Sequence, residues 1–523
     1  MIVVSDSDRQ RYGASGWWQE LRMPDLMDRA AACAPQLEAL VDPPNRAALI
    51  GSAPRRLTWG ELQAEARRWT ALLYAHGLRK DDVLLVQLPN TVELVILYLA
   101  AWRLGIMVTP LPVQHREKEA IFAARQTGAS AIVTARQIAG RDSLGMMRDV
   151  QSQCPTVDVL FTLGAGEGAV CIETALAGLD GTTLANAEQY ADAATVTAHD
   201  VETICWTSGT EAEPKGVPRN HNEWLLIADF QIDAAELSPG ARMLAPFPLV
   251  NMSGIGGGIA LWLRLGGALI LHHPFDLDIM LGQLRTEGIQ YTVTAPAVLT
   301  QLLNHRELLS GIDFQRLSRI GSGSAPLSEW MVRSWRDDFG VELVNTYGSN
   351  EGAGLVAARK DVPDPAARAI YFPRFGVDGY RWKHRFGAVM KNRLVDADSG
   401  EEITAAGKVG ELRIQGPTVF AGYWNAPQLT QAAFEDGWFR TGDLFEIAGA
   451  NNQYFRFVGR LKDIVLRGGQ NISCEEIEGY LCAHPDINEA AIVGAPDEVL
   501  GERICACVVP GAGAAPTMSA LNS

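Results

Sequence analysis

Val83-Leu84-Leu85-Val86-Gln87-Leu88 is followed, after Pro89-Asn90, by Glu93-Leu94-Val95-Ile96-Leu97-Tyr98-Leu99-Ala100-Ala101-Trp102-Arg103-Leu104 and then Gly105. The first segment is short and nearly all apolar, the pattern of a strand covered on both faces. The second predicts a helix over 93–104, and glycine is a natural stop for it. Its apolar run between Glu93 and Arg103 is nine residues. A membrane span needs about twenty, so this is a buried helix. A buried strand feeding a helix is the repeating unit of a parallel sheet.

The same alternation extends outward in both directions. Leu57-Thr58-Trp59-Gly60-Glu61-Leu62 predicts a strand end entering a helix, with Thr58 as N-cap. Leu62, Trp69, Leu72 and Leu73 continue that helix at helical spacing, and Gly77 closes it. Ala131-Ile132-Val133-Thr134, Val159-Leu160-Phe161-Thr162 and Met243-Leu244-Ala245-Pro246 predict further short strands. The fold class is therefore α/β, with doubly wound sheets in a large N-terminal domain. Near residue 385 the texture changes. Arg393-Leu394-Val395 and Gly410-Glu411-Leu412-Arg413-Ile414-Gln415 are short strands between turn residues, which predicts an antiparallel sheet or small β-barrel. A second change falls at Gly459-Arg460-Leu461-Lys462-Asp463. Beyond it come a helix over 475–483 and strands over 489–493 and 504–509, a small α+β domain. The expected domains are 1–460 and 461–523. No internal repeat is apparent.

The chain has 523 residues, 47% hydrophobic and 20% charged, with 45 basic and 61 acidic side chains and a net charge of −16. That is too long for one core. The acidic balance argues against a nucleic-acid binder and against a surface that seeks anionic lipid. The eight cysteines are scattered without a CxxC pair, so a disulfide framework is not expected and a reducing, cytoplasmic setting is. Cys505-Ala506-Cys507 suits one face of a strand more than a zinc site. The N-terminus lacks the basic and apolar regions of a secretory signal.

The chemistry begins at Trp206-Thr207-Ser208-Gly209-Thr210-Glu211-Ala212-Glu213-Pro214-Lys215-Gly216-Val217. Hydroxyl donors, glycines that admit backbone N–H groups to an anion, and one compact cation suit a polyphosphate. It is not a Walker A loop, which has Gly-Lys directly before Ser or Thr. By itself such a run is equally an ordinary polar turn. Four more segments follow: Asn345-Thr346-Tyr347-Gly348-Ser349-Asn350-Glu351; Gly410-Glu411-Leu412 with Gly416-Pro417 and Gly422-Tyr423; Gly437-Trp438-Phe439-Arg440-Thr441-Gly442-Asp443-Leu444; and the run from Gly459 to Ile472.

With these five segments in this order, the chain resembles the adenylate-forming superfamily of acyl-CoA synthetases, nonribosomal adenylation domains and luciferases, from about Leu57 to about Val509. The resemblance implies two steps. A carboxylate attacks the α-phosphorus of ATP, giving acyl-AMP and pyrophosphate; a thiol then displaces AMP. It implies ATP, Mg²⁺ and coenzyme A as cofactors, and a small carboxylic acid as substrate. Thr207, Ser208, Gly209, Thr210 and Lys215 would hold the phosphates. Asn345 and Tyr347 would meet adenine, Asn350 would sit at the nucleotide, and Glu351 would hold Mg²⁺. Asp443 would take the ribose hydroxyls, Arg460 the ribose or phosphate. Lys215, Glu351 and Arg460 are the catalytic expectation, Lys462 the hinge, and Gly468 and Gly469 the CoA tunnel.

Several positions depart from the pattern. Glu211-Ala212 stands where Thr-Gly is usual, and Asn350 where Thr is usual. In Pro246-Phe247-Pro248-Leu249-Val250-Asn251-Met252, Asn251 occupies a His or aromatic position. Met252 cannot read a ring hydroxyl, which favours an apolar acid: aliphatic (medium-chain), alicyclic or unsubstituted aromatic. Asn251, Met252, Gly256, Gly323 and Ser324 are the expected acid-binding residues, the glycines leaving room or equally serving tight turns. The resemblance places a lysine near the C-terminus. From Asp463 to Ser523 there is none, so the small domain is expected to be incomplete in this chain and acyl-AMP formation slow. Transfer from supplied acyl-AMP is expected to remain possible. Two rivals stand beside the CoA ligase: an aryl-acid enzyme that loads a carrier protein, towards which Pro218-Arg219-Asn220-His221-Asn222 leans, and a nucleotide-binding pseudoenzyme.

Overall fold

The computed structural model describes residues 1–207, 214–377, 380–461, 464–467, 470–482, 484, 486–497 and 501–511. The strand that opens the sequence reading runs Val83–Val86, all four residues buried. Its helix runs Val92–Leu104, with every residue buried and Gly105 left-handed at its end. The preceding helix, Trp59–Ala75, starts at Thr58, whose side chain accepts from the Glu61 N–H while Glu61 answers the Thr58 N–H. That reciprocal cap fixes where strand becomes helix.

Two parallel-centred sheets carry the large domain. One orders its eight strands 352–357, 342–349, 319–323, 291–293, 243–245, 269–271, 38–41 and 56–58. Its six central strands are parallel, and both edge strands run antiparallel. The other orders its seven strands 215–220, 201–207, 107–110, 83–86, 131–135, 159–163 and 170–171, antiparallel only at the Lys215–Asn220 edge. The largest core joins the facing sides of both sheets to the helices Met23–Cys33, Trp59–Ala75, Val92–Leu104 and His221–Ala235. Further helices cover the outer sides through two smaller cores. The doubly wound expectation therefore holds. So does the antiparallel layer, a third sheet of seven strands between Tyr371 and Arg460.

After residue 461, a four-stranded antiparallel sheet packs on the helix Cys474–Cys482. Cys505 and Cys507 lie in the strand Gly501–Pro510, both exposed and free. Among the described residues no helix is long and apolar enough to cross a membrane.

Candidate active site

Carboxyl ends of parallel strands are where an open α/β sheet leaves room for a ligand. Both large-domain sheets send such ends to the same place. Thr207 ends one strand and is the cross-strand partner of Lys215, so the two close the base of the phosphate loop. Ser208, Gly209 and Thr210, with Glu211 and Ala212, lie outside the described residues. The Lys215 ammonium sits 5.0 Å from the centroid of the Tyr423 ring, a cation–π distance. The Tyr423 hydroxyl donates to Glu351 Oε1 at 3.0 Å. Burial, and then the Glu351 carboxylate, push the Tyr423 phenol well up, so it stays a donor. One tyrosine thus spaces the loop cation from the buried carboxylate Glu351. Tyr423 is a site residue that single-residue reading passed over, although the Gly422-Tyr423 pair carried it.

The second group surrounds a cleft of about 590 Å³. Asp443 and Arg460 are cross-strand partners, and Arg460 Nε lies 3.3 Å from Asp443 Oδ1. The other Asp443 oxygen accepts from the Tyr347 hydroxyl. Tyr347 is held edge-on by Phe445, 5.1 Å between ring centroids. Burial and the Asp443 charge drive its phenol pKa far up. Asn345 also lines the cleft, but its amide nitrogen donates to the Arg368 and Ala369 carbonyls, both at 3.1 Å. What it leaves for a ligand is its carbonyl oxygen. Ser324, expected on the acid side, lines this nucleotide-side cleft and has φ +69°. Gly479 and Tyr480 of the last helix face the same cleft, and nothing in the sequence marked them.

Asn350 behaves differently from a nucleotide ligand. Its Nδ2 donates to the Trp206 carbonyl at 3.0 Å, and its Oδ1 accepts from the Met252 N–H at 2.9 Å. Both polar ends are spent within the protein.

On the acid side, Asn251 caps the π-helix Met252–Ala260, accepting from the Gly254 N–H at 3.2 Å. Met252 is partly buried against the main core. Two expectations need correction. A Cβ on Gly256 would lie 3.2 Å from the Trp224 ring and 3.3 Å from Ile227, so this glycine lets two helices approach and leaves no room for an acid. A Cβ on Gly323 would fall 2.2 Å from the Thr346 carbonyl oxygen, so it serves strand packing. A small space of about 10 Å³ lies among Phe247, Ser253, Gly254, Gly257, Gly258 and Val293. Lys462, Gly468 and Gly469 lie outside the described residues.

The chain as a whole has counterparts among known proteins. The AMP-binding enzyme profile matches residues 29–424, and that of the AMP-binding enzyme C-terminal domain matches 476–523. The chain belongs to the AMP-binding enzyme family. This AMP-binding enzyme is accordingly an AMP-forming acid–thiol ligase. It is 28% identical over 514 residues to the medium-chain fatty-acid–CoA ligase of Escherichia coli (strain K12), covering 97% of this chain and 84% of that one. It is 28% identical over 509 residues to the 2-hydroxy-7-methoxy-5-methyl-1-naphthoate–CoA ligase of Streptomyces carzinostaticus, covering 96% and 85%. Its fold matches the anthranilate CoA ligase AuaEII in complex with anthranoyl-AMP, with TM-score 0.78 at 19% identity over 96% of this chain and 89% of that one.

Proposed function

We propose that the protein activates an apolar carboxylic acid with ATP and passes the acyl group to coenzyme A. The acid oxygen attacks the α-phosphorus and the bond to pyrophosphate breaks. The thiol sulfur then attacks the acyl carbon, loses its proton to solvent, and AMP leaves. The observation that carries this is the junction of Lys215, Tyr423 and Glu351 beside a cleft walled by Tyr347, Asp443 and Arg460.

Each residue has a task set by its surroundings. Thr207, the loop over 208–210 and Lys215 hold the β- and γ-phosphates and stabilise charge on the departing pyrophosphate. Tyr347 offers a ring face to adenine, and the Asn345 carbonyl oxygen accepts from its exocyclic amine. Asp443 takes the ribose hydroxyls, as a carboxylate can accept several hydrogen bonds. Arg460 turns towards the phosphate. Glu351 suits Mg²⁺: Oε1 is engaged by Tyr423, and among the described residues Oε2 has no hydrogen-bond partner. A small hard cation takes few carboxylate oxygens and fills its shell with phosphate and water. When bound it would neutralise the phosphate oxygens.

Met252, partly buried against the main core, brings only a thioether and no hydrogen-bond donor, which favours an acid with an apolar body. Lys462 is the proposed hinge, and Gly468 and Gly469 are the proposed residues of the thiol tunnel. None of the eight cysteines is joined in a disulfide, which suits the cytoplasm.

The test is pyrophosphate release over a panel of aliphatic, alicyclic and aromatic acids, with acyl-CoA formation followed by mass. The expected result is release driven by unsubstituted acids. A higher kcat/KM for dihydroxybenzoate, or acyl transfer to a carrier protein and not to CoA, would overturn the substrate or acceptor assignment.

A further inference from the structure

Beneath the site lies a charged side chain with no solvent contact and no role in the reaction described so far. Arg219 is 0% exposed. It sits in the strand Lys215–Asn220, whose first residue is the loop lysine. Its Nε donates to the Asn350 carbonyl at 2.8 Å and Nη2 to the same oxygen at 2.5 Å. Its Nη1 donates to the Thr418 carbonyl at 2.6 Å. The guanidinium carbon lies 5.5 Å from the Trp224 ring centroid. The nearest paired carboxylate is Glu223, at 3.9 Å, too far for a close ion pair to be its purpose. Burying an arginine is costly unless its donors are well used. Here they are used on the backbone of the residue before Glu351.

The Thr418 carbonyl belongs to the segment that leads to Phe420 and Tyr423. The Phe420 N–H donates to the Glu351 carbonyl at 2.8 Å, and Tyr423 holds the Glu351 side chain. Asn350 then extends the tie in two more directions, to the Trp206 carbonyl at the mouth of the phosphate loop and to the Met252 N–H at the start of the acid-side helix.

We propose that Arg219 and Asn350 form a buried positioning device that sets Glu351 relative to the phosphate strand and the acid-side helix. Neither needs to touch a substrate. The planar fork of arginine can serve two carbonyls at fixed angles, which lysine cannot do. A carboxamide presents a donor and an acceptor on two separate atoms of one plane, so it can bridge the Trp206 carbonyl and the Met252 N–H. This inference rests on the proposed role of Glu351 in holding Mg²⁺.

The experiment is calorimetric titration of ATP, with and without Mg²⁺, into the wild type, Arg219→Lys and Asn350→Thr, with melting curves for each. In the wild type Mg²⁺ should tighten ATP binding. Loss of an outer support typically weakens metal binding by about 10–100-fold, so the Mg²⁺-dependent gain should fall by about tenfold or more in both variants while Mg²⁺-free ATP binding stays as in the wild type. A merely structural role would lower the melting temperature and weaken both titrations alike, which would overturn the proposal. So would an undiminished Mg²⁺-dependent gain in either folded variant. Should Arg219→Lys fail to fold, Asn350→Thr decides the matter. Wild-type protein that binds ATP but gains nothing from Mg²⁺ would overturn the Glu351 assignment and this coupling; one that binds no ATP would overturn the proposed function itself.

Discussion

The nucleotide side and the acid side of the site are built from neighbouring strands, yet they differ in kind. The first is an open cleft of about 590 Å³ with polar atoms already paired at its wall. The second is about 10 Å³, walled by a π-helix that contains Gly254, Gly256, Gly257 and Gly258. Room for about one water is not room for an acid. The contrast teaches that the same residue type serves opposite ends. Gly254, Gly257 and Gly258 border a small space, yet a Cβ on Gly254 would fall 2.0 Å from the Pro248 carbonyl oxygen, as close as one on Gly323 to that of Thr346, at 2.2 Å. The proposed nucleotide half is held by hydrogen bonds at its wall, and the proposed acid half is lined by a glycine-rich helix.

The contrast can be broken at its strongest point first. If Lys215 is the preformed charge for pyrophosphate departure, Lys215→Ala should slow acyl-AMP formation by about 10²–10³-fold. Pyrophosphate-exchange kinetics check this, and a rate near wild type would remove the loop cation from the mechanism.

Next, Asp443→Ala should weaken ATP binding by about 1–3 kcal/mol, because Tyr347 and Arg460 lose their acceptor. Acid preference should not move, since the two halves are separate. Calorimetry showing unchanged ATP affinity would break the ribose assignment.

A pair of glycine substitutions sharpens the other half. Gly323→Ala should cost about 1–3 kcal/mol through collision with the Thr346 carbonyl, visible as a lower Tm. Gly257→Ala meets Gln231, at 3.4 Å, an ordinary contact distance, and should leave Tm unchanged or raised. Equal Tm losses in both would mean that the acid side is packing throughout.

The smallest effect concerns Glu223 under Arg219. Burial pushes its carboxyl up from 4.5 to about 7. The folded state therefore binds the proton more tightly than the unfolded state does. The resulting stability is full below 4.5 and is lost as pH rises through about 7, with a slope of at most about 1.4 kcal/mol per pH unit. Glu223→Gln should flatten the fall of Tm over that window. A Tm–pH curve identical to wild type would show that Glu223 is charged in the fold throughout.

The sequence determined the fold class because burial on both faces leaves strands such as Val83–Val86 without alternation and glycine stops the helix after Leu104. It pointed to the proposed nucleotide site because phosphate, ribose and metal each demand a few residue types at short local spacing, and those stand out as motifs. Tertiary structure alone decided the rest. Tyr423 meets Lys215 from more than two hundred residues away, and Asn350 meets both Trp206 and Met252. Whether a glycine makes a pocket or closes a gap depends on what stands opposite it. No local pattern carries that, because the opposing atoms, Trp224 for Gly256 and Thr346 for Gly323, come from other elements of the fold.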